Sequence, residues 1–308
     1  MQIYPGQSFI PHFPHGSALT IGNFDGVHCG HLRILQRLRA EADARGLPTV
    51  LMLFEPQPAE YFARIHGRET PYRLSPLRDK LRLLESSGCL NAVWVARFNE
   101  AFAAVDAETF IRRILMEQLN VKYLLIGDDF RFGAQRGGDV ALLQAQSAFV
   151  TEQVSSILAA GNRASSTAVR EALSMGNLAM AAQILGHDYC LSGRVMHGRK
   201  WGRKIGCPTA NIYLPPHRYP LSGVFVVEVT GAFGTKRGVA SFGLNPTVSA
   251  TTRQKLEVHL FELNQDLYGQ RLSICFKHKL RDELKFDNLD ALREQIFRDM
   301  DAARAWGT

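Results

Sequence analysis

The chain has 308 residues, which is long enough for two domains with separate hydrophobic cores. Apolar residues make up 46% of the sequence and charged residues 21%, and no apolar run is long enough to span a bilayer, so we expect a soluble globular protein. The first residues lack the basic start and the apolar stretch of a signal peptide, which predicts a cytoplasmic location.

Positive charge is concentrated in the second half of the chain. Residues 1–186 contain 18 Lys and Arg against 17 Asp and Glu, whereas residues 187–308 contain 18 against 12. This excess suggests an anionic partner, either nucleic acid or phosphorylated small molecules. The five cysteines are scattered and form no CxxC pair, which argues against a zinc ribbon or a disulfide framework and predicts reduced, mostly buried thiols. They are Cys29, Cys89, Cys190, Cys207 and Cys275.

Short apolar runs alternate with amphipathic segments in the first half. The runs are apolar on both faces, as expected for strands of a covered parallel sheet. They comprise residues 18–22, 49–54, 92–98 and 122–127. Residues 31–44 have a helical pattern, with Leu32, Leu35, Leu38 and Ala42 on one side. A second helix is predicted within 75–88, where Ser75-Pro76 fits the start and Gly88 the end. Strand and helix in alternation predict an α/β, Rossmann-like domain.

After residue 186 the alternation of strand-like and helical patterns gives way to mainly β-type segments. Two helices opened by Ser165 and Asn177 are expected to complete a first domain of residues 1–186. Residues 187–308 read as a second domain, a small antiparallel β-barrel followed by a helix. Its clearest strand segments are 223–231, 237–243, 255–263 and 271–280. The final helix, 287–306, shares one apolar face made of Leu289, Leu292, Ile296, Met300 and Ala303.

The stretch TIGNFDGVHCGH, residues 20–31, places two histidines where a strand gives way to a helix. Ligands of open α/β sheets bind beyond the carboxyl ends of the strands, and a helix N-terminus there offers N–H donors to phosphate. His28 and His31, at i and i+3, can point the same way and donate to phosphoryl oxygens. This pattern favours nucleotidyl transfer, which needs positioning and charge stabilisation but no protein nucleophile.

Two other interpretations of the histidines are open. They could be a structural pair, or half of a zinc site completed by His12 and His15. The prolines around the second pair, and the lack of Cys or His at metal-ligand spacing, weigh against zinc.

GNFDGVHCGH resembles the HxGH signature of the nucleotidylyltransferases, and specifically that of bacterial FAD synthetases. Three further stretches resemble the same family in the same order: residues 53–62, 126–139 and 165–173. The resemblance implies that ATP and FMN are bound by Gly22, Asn23, Phe24, Asp25, Gly26 and Asp129. It also implies a second phosphate-gripping loop formed by Ser165, Ser166, Thr167 and Arg170. Ala164 replaces a larger aliphatic residue there. Arg131 and Arg136 have two equally open interpretations: they lie either in a loop near phosphate or in a solvated turn.

SGRVMHGRKWGRKIGCPTANIYL, residues 192–214, resembles the riboflavin kinase domain that follows this adenylyltransferase. The resemblance implies that Thr209 and Asn211 bind Mg²⁺ and nucleotide phosphates, and that the loop from Gly198 to Gly206 wraps phosphates. Strand alternation puts Glu257 on the face of its strand opposite to that of Leu256 and Val258. Glu257 is therefore either a solvent-facing residue or the general base, and the resemblance implies that it is the base. Arg281 and Glu283 resemble flavin contacts. Arg199 and Asn245 depart from the usual residues of their loops.

The resemblance extends from about residue 18 to the end of the chain. It implies a bifunctional riboflavin kinase/FMN adenylyltransferase that acts on riboflavin, FMN, FAD and ATP with Mg²⁺, without a nucleic-acid or membrane partner. Two other classes stay open. An RNA-binding protein could use Trp201 among its basic neighbours as a stacking patch. A flavin carrier would turn over no ATP, but it would need neither Glu257 nor an intact HxGH.

Overall fold

The computed structural model describes residues 1–6, 11–155, 158–159, 162–198, 206–244 and 254–307. They fall into two units, Met1–Pro71 with Lys80–Ala164, and Tyr72–Asp79 with Ser165–Thr308. The functional boundary predicted at residue 186 is not tested by this division and stays a prediction. No helix of the described ranges is long and apolar enough to cross a membrane.

A six-stranded sheet, parallel throughout, forms the centre of the first unit. Its strands are β1 (Gln2–Pro5), β2 (Ser17–Ile21), β3 (Thr49–Glu55), β4 (Ala92–Arg97), β5 (Val121–Gly127) and β6 (Val150–Val154). The four predicted strands are the four inner ones, and they are almost wholly buried. The two edge strands were missed because they are short and largely exposed, without the continuous apolar run of a buried strand. Two short antiparallel strands, β7 (Leu158–Ala159) and β8 (Asn162–Arg163), follow β6.

The strand order β1-β4-β3-β2-β5-β6 contains a topological switch between β2 and β5. From β2 the chain proceeds to β3 and β4 on one side, and then crosses to β5 on the other side. In such sheets ligands bind in the crevice beyond the carboxyl ends of the two strands at the switch. The loops that follow Ile21 and Gly127 flank this crevice.

Helices of very different length connect these strands. They are α1 (Cys29–Arg45), α2 (Pro58–Ile65), α3 (Leu77–Ser86), α4 (Glu100–Ala103), α5 (Ala107–Thr109, continued by a π-helical segment at Phe110–Gln118) and α6 (Val140–Gln144). As predicted, α1 buries Leu35, Leu38 and Ala42 against the sheet side, and it ends at Gly46, whose φ of 64° fits a glycine. The second predicted helix forms as α3 and begins one residue beyond Pro76.

A closed six-stranded barrel, with every strand paired antiparallel, forms the centre of the second unit. Its strands are β9 (Cys190–Met196), β10 (Ala210–Tyr213), β11 (Gly223–Gly231), β12 (Gly234–Leu244), β13 (Gln254–Leu260) and β14 (Arg271–Arg281). Phe225, Phe242 and Phe276 are buried in its interior. The strands β9 and β10 lie on either side of residues 197–209, and the sequence pattern did not identify either strand.

The described part of this unit after residue 164 also contains the helices α7 (Ser166–Ser174), α8 (Leu178–Leu185) and α9 (Leu289–Ala305). Helix α9 is the predicted C-terminal helix, and it buries Met300 and Ala303. The first residue of the predicted apolar face, Leu289, is 55% exposed, so the face is not covered at its start. The later turns of α9 pack on the barrel, where Met300 and Ala303 belong to one hydrophobic cluster with Cys207, Val224 and Val226.

The prediction of five reduced thiols is wrong for Cys190 and Cys275, which form a disulfide. They occupy directly paired positions on the neighbouring antiparallel strands β9 and β14. Paired positions on such strands bring two side chains within bonding reach, but the two residues lie 85 positions apart in sequence. Strand register, which the spacing of cysteines does not reveal, therefore decides this bond. The other three cysteines form no disulfide.

Candidate active sites

The loop between β2 and α1 has an unusual backbone. Phe24 and Val27 have φ values of 46°, in the left-handed region that costs a non-glycine residue free energy, and Gly26 lies between them at 82°. The loop is nonetheless packed, since Phe24, Asp25 and Val27 are all buried. It begins at Gly22, whose N–H donates to the carbonyl oxygen of Met52 on β3. Strained backbone held by tight packing is typical of functional loops.

This loop brings the rings of His28 and His31 together. The ring centroids are 3.6 Å apart and the ring planes are nearly parallel. The ring of Phe24 stacks on the other side of His31, with a centroid distance of 4.4 Å. Gly30 makes the arrangement possible, because a Cβ there would lie 3.1 Å from the His28 ring and 3.3 Å from the carbonyl oxygen of Ala164. The structure therefore places both imidazoles on one side of the start of α1, as the i, i+3 spacing predicts.

Hydrogen bonding and burial set the protonation of the two histidines. His28 is the N-cap of α1, and its Nδ1 accepts the backbone N–H of His31 at 3.3 Å, so a neutral His28 carries its proton on Nε2. Burial, followed by the charges of His28 and Lys80, holds the pKa of His31 well below its usual value. The ring of His31 is thus neutral near pH 7, and each of the two rings has an N–H that can donate a hydrogen bond. Among the described residues, Nδ1 of His31 has no hydrogen-bond partner.

Asp129 lies in the loop after β5, on the other side of the switch point from Gly22 and Asn23. Of the two arginines in that loop, Arg131 forms an ion pair with Asp139 at 3.0 Å, while Arg136 is exposed in a left-handed turn with φ 58°. The pairing of Arg131 favours a structural role for it.

The SST-x-x-R segment belongs to the second unit and opens α7. Ser165 is the N-cap, and its Oγ accepts the N–H of Ala168 at 3.2 Å. Ser166 and Thr167 occupy the first turn. Arg170 follows one turn later, and its Nε donates to the carbonyl oxygen of Tyr72 at 2.6 Å. A serine cap and two further hydroxyl residues thus lie at the start of α7, and Arg170 follows one turn later, which are residue types that suit an anion site.

In the barrel, the pairing of β10 with β13 puts Asn211 opposite Glu257. Opposed residues of adjacent strands extend from the same face, so the amide and the carboxylate are neighbours. Leu256 and Val258 are buried whereas Glu257 is half-buried, which confirms the predicted alternation. Gly198 completes this group, because a Cβ at that position would collide with the Asn211 amide.

The segment before Asn211 is fixed by His259, which lies on the same face of β13 as Glu257. The carbonyl oxygen of Pro208 bonds Nδ1 of His259 at 2.8 Å, and Thr209 follows half-buried. Gly206 is exposed, with φ 81°. The basic residues between Gly198 and Gly206, with Trp201 among them, lie outside the described residues, as does Asn245.

The two predicted flavin contacts have different environments. Arg281 donates to both carboxylate oxygens of Asp299 on α9, at distances from 2.7 to 3.1 Å, and so ties the end of β14 to that helix. The carboxylate of Glu283 lies against Gly243, where a Cβ would collide with it. Partial burial there raises the pKa of Glu283, while a backbone hydrogen bond from Leu244 and the charge of Arg281 oppose the shift.

The sequence analysis did not identify two charged side chains of α3 that the structure shows to be buried. Lys80, in the first unit, is fully buried and donates to the carbonyl oxygen of Asn23. Asp79, in the second unit, accepts the N–H and the hydroxyl of Ser192 on β9. A signal existed for Lys80, which lies one turn before the buried Leu84 on the apolar stripe of an amphipathic helix.

Comparison with known proteins gives a consistent result over both halves. The FAD synthetase family model matches residues 10–168, and the riboflavin kinase family model matches residues 185–307. A relative from Haemophilus influenzae, named bifunctional riboflavin kinase/FMN adenylyltransferase, is 45% identical over 99% of both chains. The chain belongs to the bifunctional riboflavin kinase/FMN adenylyltransferase family. The predicted fold class and the predicted pair of activities are confirmed.

Two further similarities also extend over nearly the whole chain. A relative of the same name from Escherichia coli K12 is 48% identical over 94% of this chain and 92% of its own. A crystal structure described as the macrolide-efflux protein from Streptococcus pneumoniae is 28% identical, covers 100% of both chains and superposes with a TM-score of 0.82. The family architecture therefore extends over the whole chain.

Proposed function

We propose that FMN adenylylation takes place within residues 1–186 at the loop carrying His28 and His31, and riboflavin phosphorylation within residues 187–308 beside Glu257. The observation that carries the proposal is the stacked pair of imidazoles at the start of α1, beside the switch point of the parallel sheet. The family supplies the two reactions. One ATP phosphorylates riboflavin to FMN, and a second ATP adenylylates FMN to FAD.

In adenylylation, a phosphate oxygen of FMN attacks the α-phosphorus of ATP. The new P–O bond forms as the bond to pyrophosphate breaks, so no protein nucleophile is needed. We assign the Nε2 proton of His28, the imidazole of His31 and the first N–H groups of α1 to the phosphoryl oxygens, where charge develops. The approach of phosphate favours the charged form of His31 and raises its pKa, which strengthens its hydrogen bond.

In the kinase reaction, the terminal ribityl hydroxyl of riboflavin attacks the γ-phosphorus of ATP, and ADP leaves. Glu257 is the proposed base that accepts the hydroxyl proton. Its half-buried carboxylate is paired in register with Asn211, so the base and a phosphate-side amide are held on the same face. The backbone at Gly198 approaches this amide closely and closes the group.

Thr209 and Asn211 are the residues that we propose to hold Mg²⁺. A hydroxyl and an amide oxygen suit this hard cation, which keeps several waters and usually binds few protein ligands. The close approach of Gly198 to Asn211 leaves the amide in a defined place beside Glu257, which fits such a site. When bound, the ion would neutralise phosphate charge.

The remaining predicted residues are proposed in supporting roles. The group at Ser165–Arg170 would grip phosphate in the adenylyltransferase, and Glu283 would contact the flavin in the kinase. Arg281 is held by Asp299 and would support the flavin loop by fixing its start. A cytoplasmic location, where ATP is available, is proposed as well.

Chromatography of flavins formed from riboflavin, ATP and Mg²⁺ tests the assignment. The wild-type chain should form FMN first and FAD later. His28→Ala should accumulate FMN without FAD, whereas Glu257→Ala should form no FMN but still convert supplied FMN to FAD. His12→Ala and Glu294→Ala, at two exposed positions, are the matched controls and should behave as wild type.

Either single substitution abolishing both reactions, in a chain with unchanged circular dichroism, would show that the two-site assignment is wrong. FAD formation by His28→Ala at the wild-type rate would remove that histidine from the adenylyltransferase site.

A further inference from the structure

Lys80 places a positive charge in the interior of the first unit. The residue is 1% exposed, and its Nζ donates to the carbonyl oxygen of Asn23 at 2.6 Å. Taking an ammonium group out of water is unfavourable unless its surroundings compensate for the lost hydration. Methionine would fill similar space without that cost, so the charge or its hydrogen bond must serve a purpose at this position.

The bonded carbonyl belongs to the residue that precedes the strained part of the loop. Phe24 follows Asn23 directly with φ 46°, and Val27 repeats that value three residues later. Residues in this region keep their conformation only when neighbouring groups hold them there. The hydrogen bond from Lys80 fixes the chain at the point where it enters this conformation.

A continuous set of contacts leads from Asn23 to the imidazoles. The Phe24 ring stacks on His31 at 4.4 Å, and His31 stacks on His28 at 3.6 Å. His28 in turn accepts the N–H of His31. A shift of the Asn23 carbonyl therefore moves Phe24, and through it the ring of His31.

We propose that Lys80 is a positioning residue for FMN adenylylation, whose ammonium fixes the Asn23 carbonyl and thereby holds Phe24 against the His31–His28 pair. Because Lys80 is buried, it acts through this loop rather than by touching substrate. The inference rests on the proposed assignment of His28 and His31 to the adenylyltransferase site.

The charge of Lys80 has a second effect that can be measured separately. The titratable groups acting on His31 are His28, at the start of the same helix, and Lys80, from α3. Burial is the largest cause of the lowered pKa, and both groups add to it because like charges disfavour protonation. Removing the ammonium should raise the pKa of His31. A loss of burial would raise it too, so a variant that keeps the charge is needed to separate the two causes.

Three full-length variants test the proposal. Lys80→Met removes the charge and keeps the length, Lys80→Arg keeps the charge, and Lys122→Met is a control at an exposed lysine of β5 in the same unit. Each is assayed for adenylylation of supplied FMN and for phosphorylation of riboflavin, which serves as an internal control for folding. Histidine-selective NMR, with His31 assigned through His31→Asn, gives the titration of its ring in the nucleotide-free chain.

We expect Lys80→Met to lower kcat for adenylylation at least tenfold, with the KM for FMN and the kinase rate within twofold of wild type, and His31 to titrate at higher pH. Lys80→Arg should keep His31 titrating at low pH, and Lys122→Met should match wild type throughout. A wild-type adenylylation rate in Lys80→Met, or a slowed rate with unchanged His31 titration, would overturn the proposal.

If Lys80→Met also loses kinase activity, Lys80→Arg decides. A raised His31 pKa in that variant contradicts the proposal, and a low one supports it. Failure of the underlying site assignment is distinguished by His28→Ala, which would then still form FAD.

Discussion

The contact between Arg281 and Asp299 should control how firmly the last helix is held on the barrel. Asp299 accepts three hydrogen bonds from the guanidinium and a fourth from Gln295 at 2.9 Å. Its side chain is 8% exposed and that of Arg281 18%. Asp299→Ala removes the carboxylate and leaves the guanidinium without its main partner.

The size of the effect follows from this burial. Breaking a buried ion pair from one side typically costs 3–5 kcal/mol, because a charge is left uncompensated. Arg281 retains some access to water and a hydrogen bond to the carbonyl oxygen of Asp282 at 2.8 Å, so we expect the lower end of that range. A loss of about 3 kcal/mol corresponds to a roughly 150-fold larger population of the state in which α9 has opened.

Hydrogen–deuterium exchange measured by mass spectrometry reports this opening for peptides of α9 without assuming that the whole chain unfolds in one step. Asp299→Ala should accelerate their exchange about 150-fold, while Glu294→Ala, at an exposed position of the same helix, should not. Arg281→Met combined with Asp299→Leu should recover much of the protection, since neither charge is then left alone. Equal exchange in Asp299→Ala and wild type would refute the argument that this pair anchors α9.

The remaining predictions concern an imidazole, the disulfide and the phosphate loop. Because the pKa of His31 is lowered in the folded chain, unfolding takes up a proton below about pH 6.5, and stability should fall with decreasing pH by up to about 1.4 kcal/mol per unit. His31→Asn should remove this slope from urea titrations at several pH values, and an unchanged slope would contradict the assignment. Alkylation of the unfolded chain should modify Cys29, Cys89 and Cys207 at once, but Cys190 and Cys275 only after reduction. Labelling of all five cysteines without reductant would disprove the disulfide. Gly198→Ala should lower the rate of FMN formation at least tenfold, because the added methyl group displaces the Asn211 amide. Adenylylation of supplied FMN should be unchanged. An undiminished kinase rate would show that the contact between Gly198 and Asn211 is dispensable.

Elements with a strong local signal could be predicted from the sequence. The inner strands β2 to β5 are apolar on both faces because they are covered on both sides, and this produces a continuous run that needs no knowledge of partners. The edge strand β1 has no such run, since it is only four residues long, Ile3 is 44% exposed, and Gln2 and Pro5 are exposed as well. Leu289 shows the opposite failure, because helical periodicity identifies a face without saying how far along the helix that face is covered.

The candidate sites divide in a similar way. The spacing of His28 and His31 predicts that they share a side, and the stacked rings confirm it. The strained φ of Phe24 and the bond from Lys80 depend on a helix that begins about fifty residues later in the sequence, so local pattern carries no trace of them. The pairing of Asn211 with Glu257 likewise depends on strand register.

The Cys190–Cys275 bond joins the first and the last strand of the barrel, which are neighbours where the sheet closes. It therefore turns the chain between these residues into a covalent ring that contains every barrel strand from β10 to β13. A protease that nicks any connection inside this ring leaves the two fragments attached, so that the damage is invisible on a gel until the sample is reduced. For the same reason, a single backbone cut in any loop between Cys190 and Cys275 leaves the barrel strands covalently linked. New termini could therefore be introduced in any of these loops without separating the strands.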